Sequence, residues 1–314
     1  MNRVLLLFTL LVVSCGTYVS DRIDPRLCYQ VQEQHFSRLK SAFPPLDPDE
    51  RAADWGKEMM IAQAFARDLD LYRAVSTYRR AEILIPEEFI ARKLEIQYDI
   101  FLCYYLGKRY EEALENVERS GLEFVDKSFP AYHDLLLILY ECYHESENEE
   151  REARVRELIK TTFPETDEQL RVSLALRSAN LVAINEINSD LQHPSYLDQP
   201  LDNYAAEKKS VGKAQMLNAL LPGAGYLYLG QKKSAFTALF LNGLFIAAAY
   251  QFFHHHHVAA GIITTSFESG WYFGGIYGAG EEAKFYNERL YEKNASRVLN
   301  NYNLFPPLML RYAF

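Results

Sequence analysis

The most constraining feature of this 314-residue chain is a long, nearly uncharged stretch between residues 214 and 280. Ser234 to Phe253 holds 20 residues without a charged side chain, which is the length at which a helix crosses a bilayer. Val258 to Gly280 holds 23 residues and one charge, Glu268. The stretch therefore predicts a membrane domain of two helices, or of three if residues 214–233 also enter the bilayer.

Three kinds of residue stand out inside this stretch. Gly270, Gly274 and Gly278 recur every four residues, which predicts close backbone packing against a neighbouring helix, here the first span near Asn242. Glu268 is a possible functional acid, because an ionisable group within a span usually has a role. A shifted span would instead leave Glu268 near the interface, and pairing with Lys232 or Lys233 is another option. Between the two spans, the histidines form a polar loop or, less simply, a metal site: His254, His255, His256 and His257.

The sharpest motif of the chain precedes the first span. The sequence LLPGAGYLYLG contains Pro222, Gly223, Gly225 and Gly230. It resembles the PGAG-x-x-Y-x-G turn of small two-helix bacterial membrane domains, with Tyr226 as a departure from the polar residue that is frequent there. The resemblance implies a membrane fold and no particular chemistry. Physically, proline and glycine predict a helix break at this point.

The N-terminal sequence has the features of an export signal. MNRVLLLFTLLVVSCG has a basic residue, a short apolar run and small residues before a cut. Val12 to Cys15 resembles the bacterial lipobox, which implies that residues 1–15 are a lipoprotein signal peptide and that Cys15 is lipidated. The alternative is an ordinary signal peptide in which the cysteine is incidental.

Residues 29–191 show helical periodicity almost throughout, with prolines at intervals and little glycine. In LYRAVSTYRRAEILIP, Ala74, Tyr78, Ala81 and Pro86 match the second helix of a tetratricopeptide repeat: small, aromatic, small, then proline. FLCYYLGKRYEEALENVERSG is a weaker second copy, and residues 131–163 keep only the shape of a third. The region resembles the repeats of bacterial envelope lipoproteins, which implies a surface that binds a protein partner.

The predicted fold class is therefore all-α: a tetratricopeptide-like solenoid of helical hairpins followed by a membrane domain of two or three helices. The remaining boundaries come from composition. Residues 192–213 are rich in turn formers and predict a linker. Residues 281–314 predict an amphipathic helix and a tail whose alternating apolar residues, ending at Phe314, suit a docking strand or tail.

Composition and motifs narrow the function. A net charge of −9 argues against a nucleic-acid partner. No nucleophile, phosphate-binding or dinucleotide motif appears, so no catalytic residue, cofactor or metal is predicted. The sequence favours a non-enzymatic lipoprotein of the bacterial envelope, with its repeats in the periplasm binding a protein and its helices in a bilayer, as a homo- or hetero-oligomer. The alternative is a small channel, carrier or membrane enzyme working through residues 214–280. Either the inner or the outer membrane is compatible with this sequence.

Overall fold

A computed structural model describes residues 19–27, 33–36, 38–190 and 198–314. The predicted all-α class is confirmed: the described residues form helices and connecting turns, and they contain no strand. Cys15 and residues 1–18 lie outside the described residues, so the lipobox prediction has no structural counterpart here.

The α-helices of the described residues are numbered α1 to α15 in chain order. They span Glu33–Phe36, Pro48–Ala52, Asp54–Arg67, Leu71–Leu84, Ile90–Leu106, Tyr110–Glu118, Tyr132–Glu145, Glu149–Thr162, Pro164–Arg177, Leu181–Asp190, Asp198–Glu207, Val211–Leu220, Ala224–Tyr228, Lys232–His254 and Val258–Asn301. Short 3₁₀ helices cover Gly121–Phe124 and Pro306–Met309.

The chain divides into two compact units. The hairpin unit comprises the described residues of 28–176 together with Leu299–Phe314. The long-helix unit comprises residues 19–27 together with Arg177–Val298. Each unit combines two separate segments of the chain. The unit boundaries therefore differ from the domain boundaries predicted from the sequence.

The hairpin unit repeats one local structure three times. The pairs α3/α4, α5/α6 and α7/α8 are each joined by three residues, of which the second has a left-handed backbone: Leu69, Lys108 and Glu147, with φ of 55°, 56° and 55°. In each turn the main-chain N–H of the third residue donates to the carbonyl oxygen of an aromatic residue five positions earlier, at 2.9 Å. These aromatics are Phe65, Tyr104 and Tyr143. An arginine guanidinium lies over each ring, at 5.2, 5.5 and 5.7 Å from its centre.

This regularity shows that the three hairpins are structural repeats. The aromatic positions are 39 residues apart (65 to 104, then 104 to 143). Helices that follow one another along the chain from α3 to α8 also pack against one another. The third hairpin, whose sequence keeps only the shape of a repeat, thus has the same turn geometry as the first.

The first hairpin is packed around small residues. Ala62, Ala74, Tyr78 and Ala81 are completely buried. Small side chains on facing helices allow the helices to approach closely, and an aromatic ring fills the remaining groove. Asp70 caps α4 by accepting the Arg73 main-chain N–H at 3.3 Å. Three residues of the sequence pattern, Ala74, Tyr78 and Ala81, are therefore core residues, whereas Pro86 is exposed.

The C-terminal tail belongs to the hairpin unit. After α15 the chain turns at Asn303, which has φ of 53°, and enters the 3₁₀ helix Pro306–Met309. The side chains of Phe305, Leu310 and Phe314 are buried. The tail docks as the alternating apolar pattern suggested, but as a 3₁₀ turn and extended backbone rather than as a strand.

The long-helix unit corrects two expectations. Part of the predicted linker is helical, because α11 spans Asp198–Glu207 and its Tyr204 ring packs edge-on against Tyr291 at 5.4 Å. The segment 258–280, predicted as a separate span, is the first half of the 44-residue helix α15, which continues through the charged residues to Asn301. The sequence changes from apolar to charged at Glu281, but no proline interrupts the helix there. The backbone therefore continues as one helix through this change of composition.

Candidate functional site

The predicted helix break is present, and a buried amide organises it. Helix α12 ends at Leu220 and α13 begins at Ala224. Gly223 has φ of 93°, and its N–H donates to Asn218 Oδ1 at 2.8 Å. A Cβ added at Gly223 would lie 2.3 Å from the carbonyl oxygen of Ala235, so only glycine fits there. The turn therefore fixes the start of α14 against α12.

Gly225 and Gly230 have different roles in the same turn. A Cβ at Gly225 would lie 2.3 Å from the Ala214 carbonyl oxygen and 2.9 Å from the Ala279 Cβ, so three helices meet at this point. Gly230 has open space around it but a left-handed φ of 79°. Gly225 is therefore required by packing and Gly230 by backbone conformation.

A cleft of about 930 Å³ lies beside this turn, between α14 and α15. Its lining includes two buried amides, Asn218 and Asn242. Asn242 Nδ2 donates to the Ala238 carbonyl oxygen at 2.6 Å, while Asn242 Oδ1 has no hydrogen-bond partner among the described residues. One end of the cleft carries charged and polar side chains, including Lys233 and Glu281. The site is thus an open groove with an unsatisfied acceptor in its wall.

The glycine prediction is wrong at two of its three positions. Added Cβ atoms at Gly270 and Gly274 would meet nothing within 4 Å, so α14 does not pack against them, and neither does any other helix that the structure describes. Both glycines line the cleft instead. Only Gly278 makes a close approach, and its neighbour is the Tyr226 hydroxyl rather than α14. The structural reason is that α14 stands away from this face of α15 and leaves the groove between them.

Glu268 and the histidines lie outside the cleft. Glu268 is half-buried, its Oε2 has no hydrogen-bond partner in the described chain, and neither Lys232 nor Lys233 is within ion-pair distance. His254 to His257 are exposed at the turn between α14 and α15, where His256 has φ of 59°. Over the described ranges, no three His, Cys, Asp or Glu side chains are placed to hold a metal ion. The predicted acid and histidines therefore do not converge on one site.

One described helix, α14, is long and apolar enough to cross a membrane. It has 23 residues and a mean hydropathy of 1.5 over its most apolar window, of which 11% is buried within the chain. The first half of α15 does not meet the same test, because glycine, serine, tyrosine and Glu268 interrupt its apolar residues.

The hairpin unit contains a buried ionic cluster that sequence reading missed. The Arg92 guanidinium donates to Glu50, to Glu95 and to the carbonyl oxygens of Pro44 and Pro45, at 2.7 to 3.0 Å. Burial raises the pKa of Glu95 to about 7, although Arg92 opposes the shift. Nothing in the charge pattern of the sequence separates these three residues from solvated helix pairs.

The hairpin unit should be more stable in mild acid than in mild alkali. A carboxyl whose pKa is higher in the folded chain stabilises the fold fully below its unfolded pKa, near 4.5, and loses that effect as pH rises through about 7. We expect the free energy of unfolding, from urea titrations, to be larger at pH 5 than at pH 8. Glu95→Gln should reduce this difference and the exposed control Glu123→Gln should not. Equal pH dependence in both variants would contradict the assignment.

An apolar groove of about 910 Å³ lies beside this cluster. Its rim carries two exposed apolar side chains, Ile90 and Phe124, of which Phe124 is 82% exposed. The lining also includes Phe43, Phe89, Phe129, Glu50, Glu88, Glu95 and Asp126. Arg92 is the one basic residue of the lining, and it is already paired with Glu50 and Glu95. The groove is therefore apolar and acidic.

Comparison with protein families, with curated proteins and with solved structures finds no match to this chain.

Proposed function

We propose that this chain is a non-enzymatic lipoprotein of the bacterial envelope that holds a protein partner at a membrane surface. The hairpin unit is the binding module and the long-helix unit is the anchor. The observation that carries the proposal is the apolar, acidic groove of the hairpin unit, because an exposed apolar groove rimmed by charge is typical of a protein-binding surface.

The repeated hairpins support a tetratricopeptide-like assignment. Alanines and a tyrosine form the core of the first hairpin as the motif requires, and three hairpins are about the minimum for a self-supporting stack. The 39-residue spacing (65 to 104, then 104 to 143) is longer than the roughly 34 residues of that family. The proposal is thus a related hairpin array, with longer helices or turns than the standard repeat.

The groove indicates the chemistry of the partner. Phe124 and Ile90 at the rim would bury apolar side chains, and Glu88 and Asp126 would face basic ones. We therefore expect a protein segment that presents apolar and basic residues. The tail of this chain does not line the groove, which leaves it open for such a segment.

The long-helix unit supports membrane anchoring. Exposed apolar side chains cover α14, among them Phe236, Phe240 and Leu244, and lipid would cover them. Val19 packs with Val211, Ala214, Leu229 and Ala283. Cys15 is only four residues earlier, a reach of about 14 Å. A lipid on Cys15 would therefore enter the bilayer beside the start of α14, at Lys232, and the middle of α15, near Glu281, with the histidine turn at the opposite end of α14.

The partner-binding role is tested by photocrosslinking in living bacteria. A benzophenone amino acid placed at Phe124 of the full-length chain should form an adduct with one other protein, because that side chain lies on the groove rim. The same amino acid at Tyr72 is the matched control, since Tyr72 is 80% exposed in the same unit but outside the groove. Adducts at both positions, or at neither, would count against the groove.

The same cells report on the anchor. The wild-type chain should remain in membranes and incorporate an alkyne-labelled fatty acid, whereas Cys15→Ser should lose the label. A label that persists in Cys15→Ser would remove lipidation at this residue from the proposal. A crosslink at Phe124 would stand in either case, so the two parts of the proposal fail separately.

A further inference from the structure

The long-helix unit carries a local excess of positive charge. Residues 208–233 contain five lysines and no acidic residue, in a chain whose net charge is −9. These lysines flank α12 and begin α14: Lys208, Lys209, Lys213, Lys232 and Lys233. Because the rest of the chain is acidic, this segment is where an anionic ligand would be attracted most strongly.

The backbone that carries the first of these lysines is held in place. The Lys209 main-chain N–H donates to Asn287 Oδ1 at 2.7 Å, and Asn287 Nδ2 donates to the Lys209 carbonyl oxygen at 2.8 Å. Asn287 lies on α15 and is buried. The next main-chain N–H, of Ser210, donates to the Tyr228 hydroxyl at 3.2 Å. These bonds fix both the Lys209 backbone and the Tyr228 ring, so the site is ordered before a ligand arrives.

Two ammonium groups share that ring. Lys209 Nζ lies 5.1 Å and Lys213 Nζ lies 5.0 Å from the centre of Tyr228. Neither is within ion-pair distance of a carboxylate among the described residues. Two like charges held beside one ring repel each other, and an anion between them would reverse the sign of that interaction.

The acidic side chains of α15 near this level are occupied elsewhere. Glu282 accepts a hydrogen bond from Gln231 Nε2. Glu288 accepts the Asp24 main-chain N–H at 3.0 Å and lies 3.9 Å from Lys284 Nζ. The chain therefore brings the two ammonium groups together without placing one of these carboxylates against them.

The lysines lie at the level where α14 becomes apolar. Val211 and Ala214, on the same turn of α12 as Lys213, pack with Leu229, three residues before α14 begins at Lys232. With α14 across a bilayer, the level just before its first residues is that of the lipid phosphates. Exposed apolar side chains follow at once on α14, beginning with Phe236. A ligand at this point meets positive charge at one end and an apolar surface at the other.

We propose that Lys209, Lys213 and Tyr228 form a binding site for the phosphate of an anionic phospholipid. The inference rests on the proposed membrane location of the long-helix unit. A phospholipid fits better than free phosphate because its acyl chains would cover the apolar side chains at the start of α14. A net negative headgroup fits better than a zwitterionic one, because residues 208–233 offer no carboxylate for an ammonium group.

Titration of the purified full-length chain with phosphatidylglycerol tests the site. The chain is kept in a neutral detergent, and native mass spectrometry counts the lipids that it retains. Lys209→Gln/Lys213→Gln should bind phosphatidylglycerol about 30-fold more weakly than the wild type. Lys293→Gln/Arg297→Gln is the matched control, because it removes two exposed basic side chains, also four residues apart, from a part of α15 well beyond the proposed bilayer.

Two further measurements separate charge from fold and lipid from phosphate. Lys209→Arg/Lys213→Arg keeps both charges and should retain binding, which distinguishes a lost charge from a lost fold. Phosphatidylcholine should bind the wild type no better than it binds Lys209→Gln/Lys213→Gln. Equal phosphatidylglycerol binding by the glutamine variant and its control, or displacement of the lipid by an equal concentration of inorganic phosphate, would overturn the proposal. A wild type that binds no phosphatidylglycerol would overturn it as well, and would favour an acidic protein segment as the ligand.

Alkaline extraction of bacterial membranes that contain the chain separates this inference from the proposed function. A chain that stays in the pellet but shows no preference for phosphatidylglycerol disproves the lipid site and leaves the anchor intact. A chain released into the supernatant disproves the membrane location, and the lipid site with it.

Discussion

Replacing Asp134 by alanine should lower the free energy of unfolding of the hairpin unit by about 3 kcal/mol. This carboxylate is completely buried and accepts four hydrogen-bond contacts. The main-chain N–H groups of Arg311 and Tyr312 donate to it at 2.9 to 3.1 Å, and His133 Nδ1 donates at 2.6 Å. Alanine would leave the buried His133 Nδ1 and the part-buried main-chain N–H groups of Arg311 and Tyr312 without this acceptor, and each such loss costs free energy.

The tail should detach more readily in the same variant. Besides Asp134, it is held by the Ala313 N–H on the Lys40 carbonyl oxygen at 3.1 Å and by Arg67 Nε on the Phe314 main-chain oxygen at 3.2 Å. These two contacts hold only the last two residues, so the loss of Asp134 would loosen the tail between the exposed turn at Asn303 and Tyr312. We expect limited proteolysis to cleave Asp134→Ala near this turn faster than the wild type.

Urea unfolding of the full-length chain measures the effect. In a Trp271→Phe background, Trp55 is the remaining tryptophan and reports on the hairpin unit, where it is buried. Asp126→Ala is the matched control, because Asp126 is exposed and its carboxylate accepts hydrogen bonds from Ser128, two residues later. If Asp134→Ala and Asp126→Ala unfold at the same urea concentration, the buried carboxylate does not hold the tail.

Gly225→Ala should destabilise the long-helix unit by about 3 kcal/mol, a large effect for one added methyl group. The methyl group would overlap the Ala214 carbonyl oxygen at 2.3 Å, and the Ala279 and Asn218 Cβ atoms both lie 2.9 Å away. None of these is the end of a flexible side chain, so backbone must move. The contacts come from α12 and α15, and all of the helices that meet at the turn would shift.

The sign of the effect should reverse at Gly243. This glycine lies within α14 and has open space, so alanine there stabilises the helix by about 0.5–1 kcal/mol. Thermal unfolding in detergent, followed by the helical circular dichroism signal, should give a lower midpoint for Gly225→Ala and an equal or higher one for Gly243→Ala. Similar losses in both variants would mean that the glycine turn is not the tight contact described above.

Much of the architecture followed from local chemistry. Periodicity predicted helices over residues 29–191, Pro222 and Gly223 predicted the break before α14, and 20 uncharged residues predicted α14 itself. Each of these depends on residues close together in sequence, where backbone freedom and hydrophobic period decide the outcome. The aromatic and alanine positions of the first hairpin were predicted for the same reason.

Contacts between distant residues were decided only by the tertiary structure. Tyr312 donates its N–H to Asp134 although 178 residues separate them, and Asp24 donates its N–H to Glu288 although 264 residues separate them. The glycines of α15 show the same limit. Their spacing predicts that a helix can approach, but whether α14 or another molecule does so depends on where the turn at Gly223 and Gly225 directs α14. Sequence by itself determined the helices and their apolar faces, and the fold decided which of those faces remain open, because partners are fixed by packing over long range and not by local pattern.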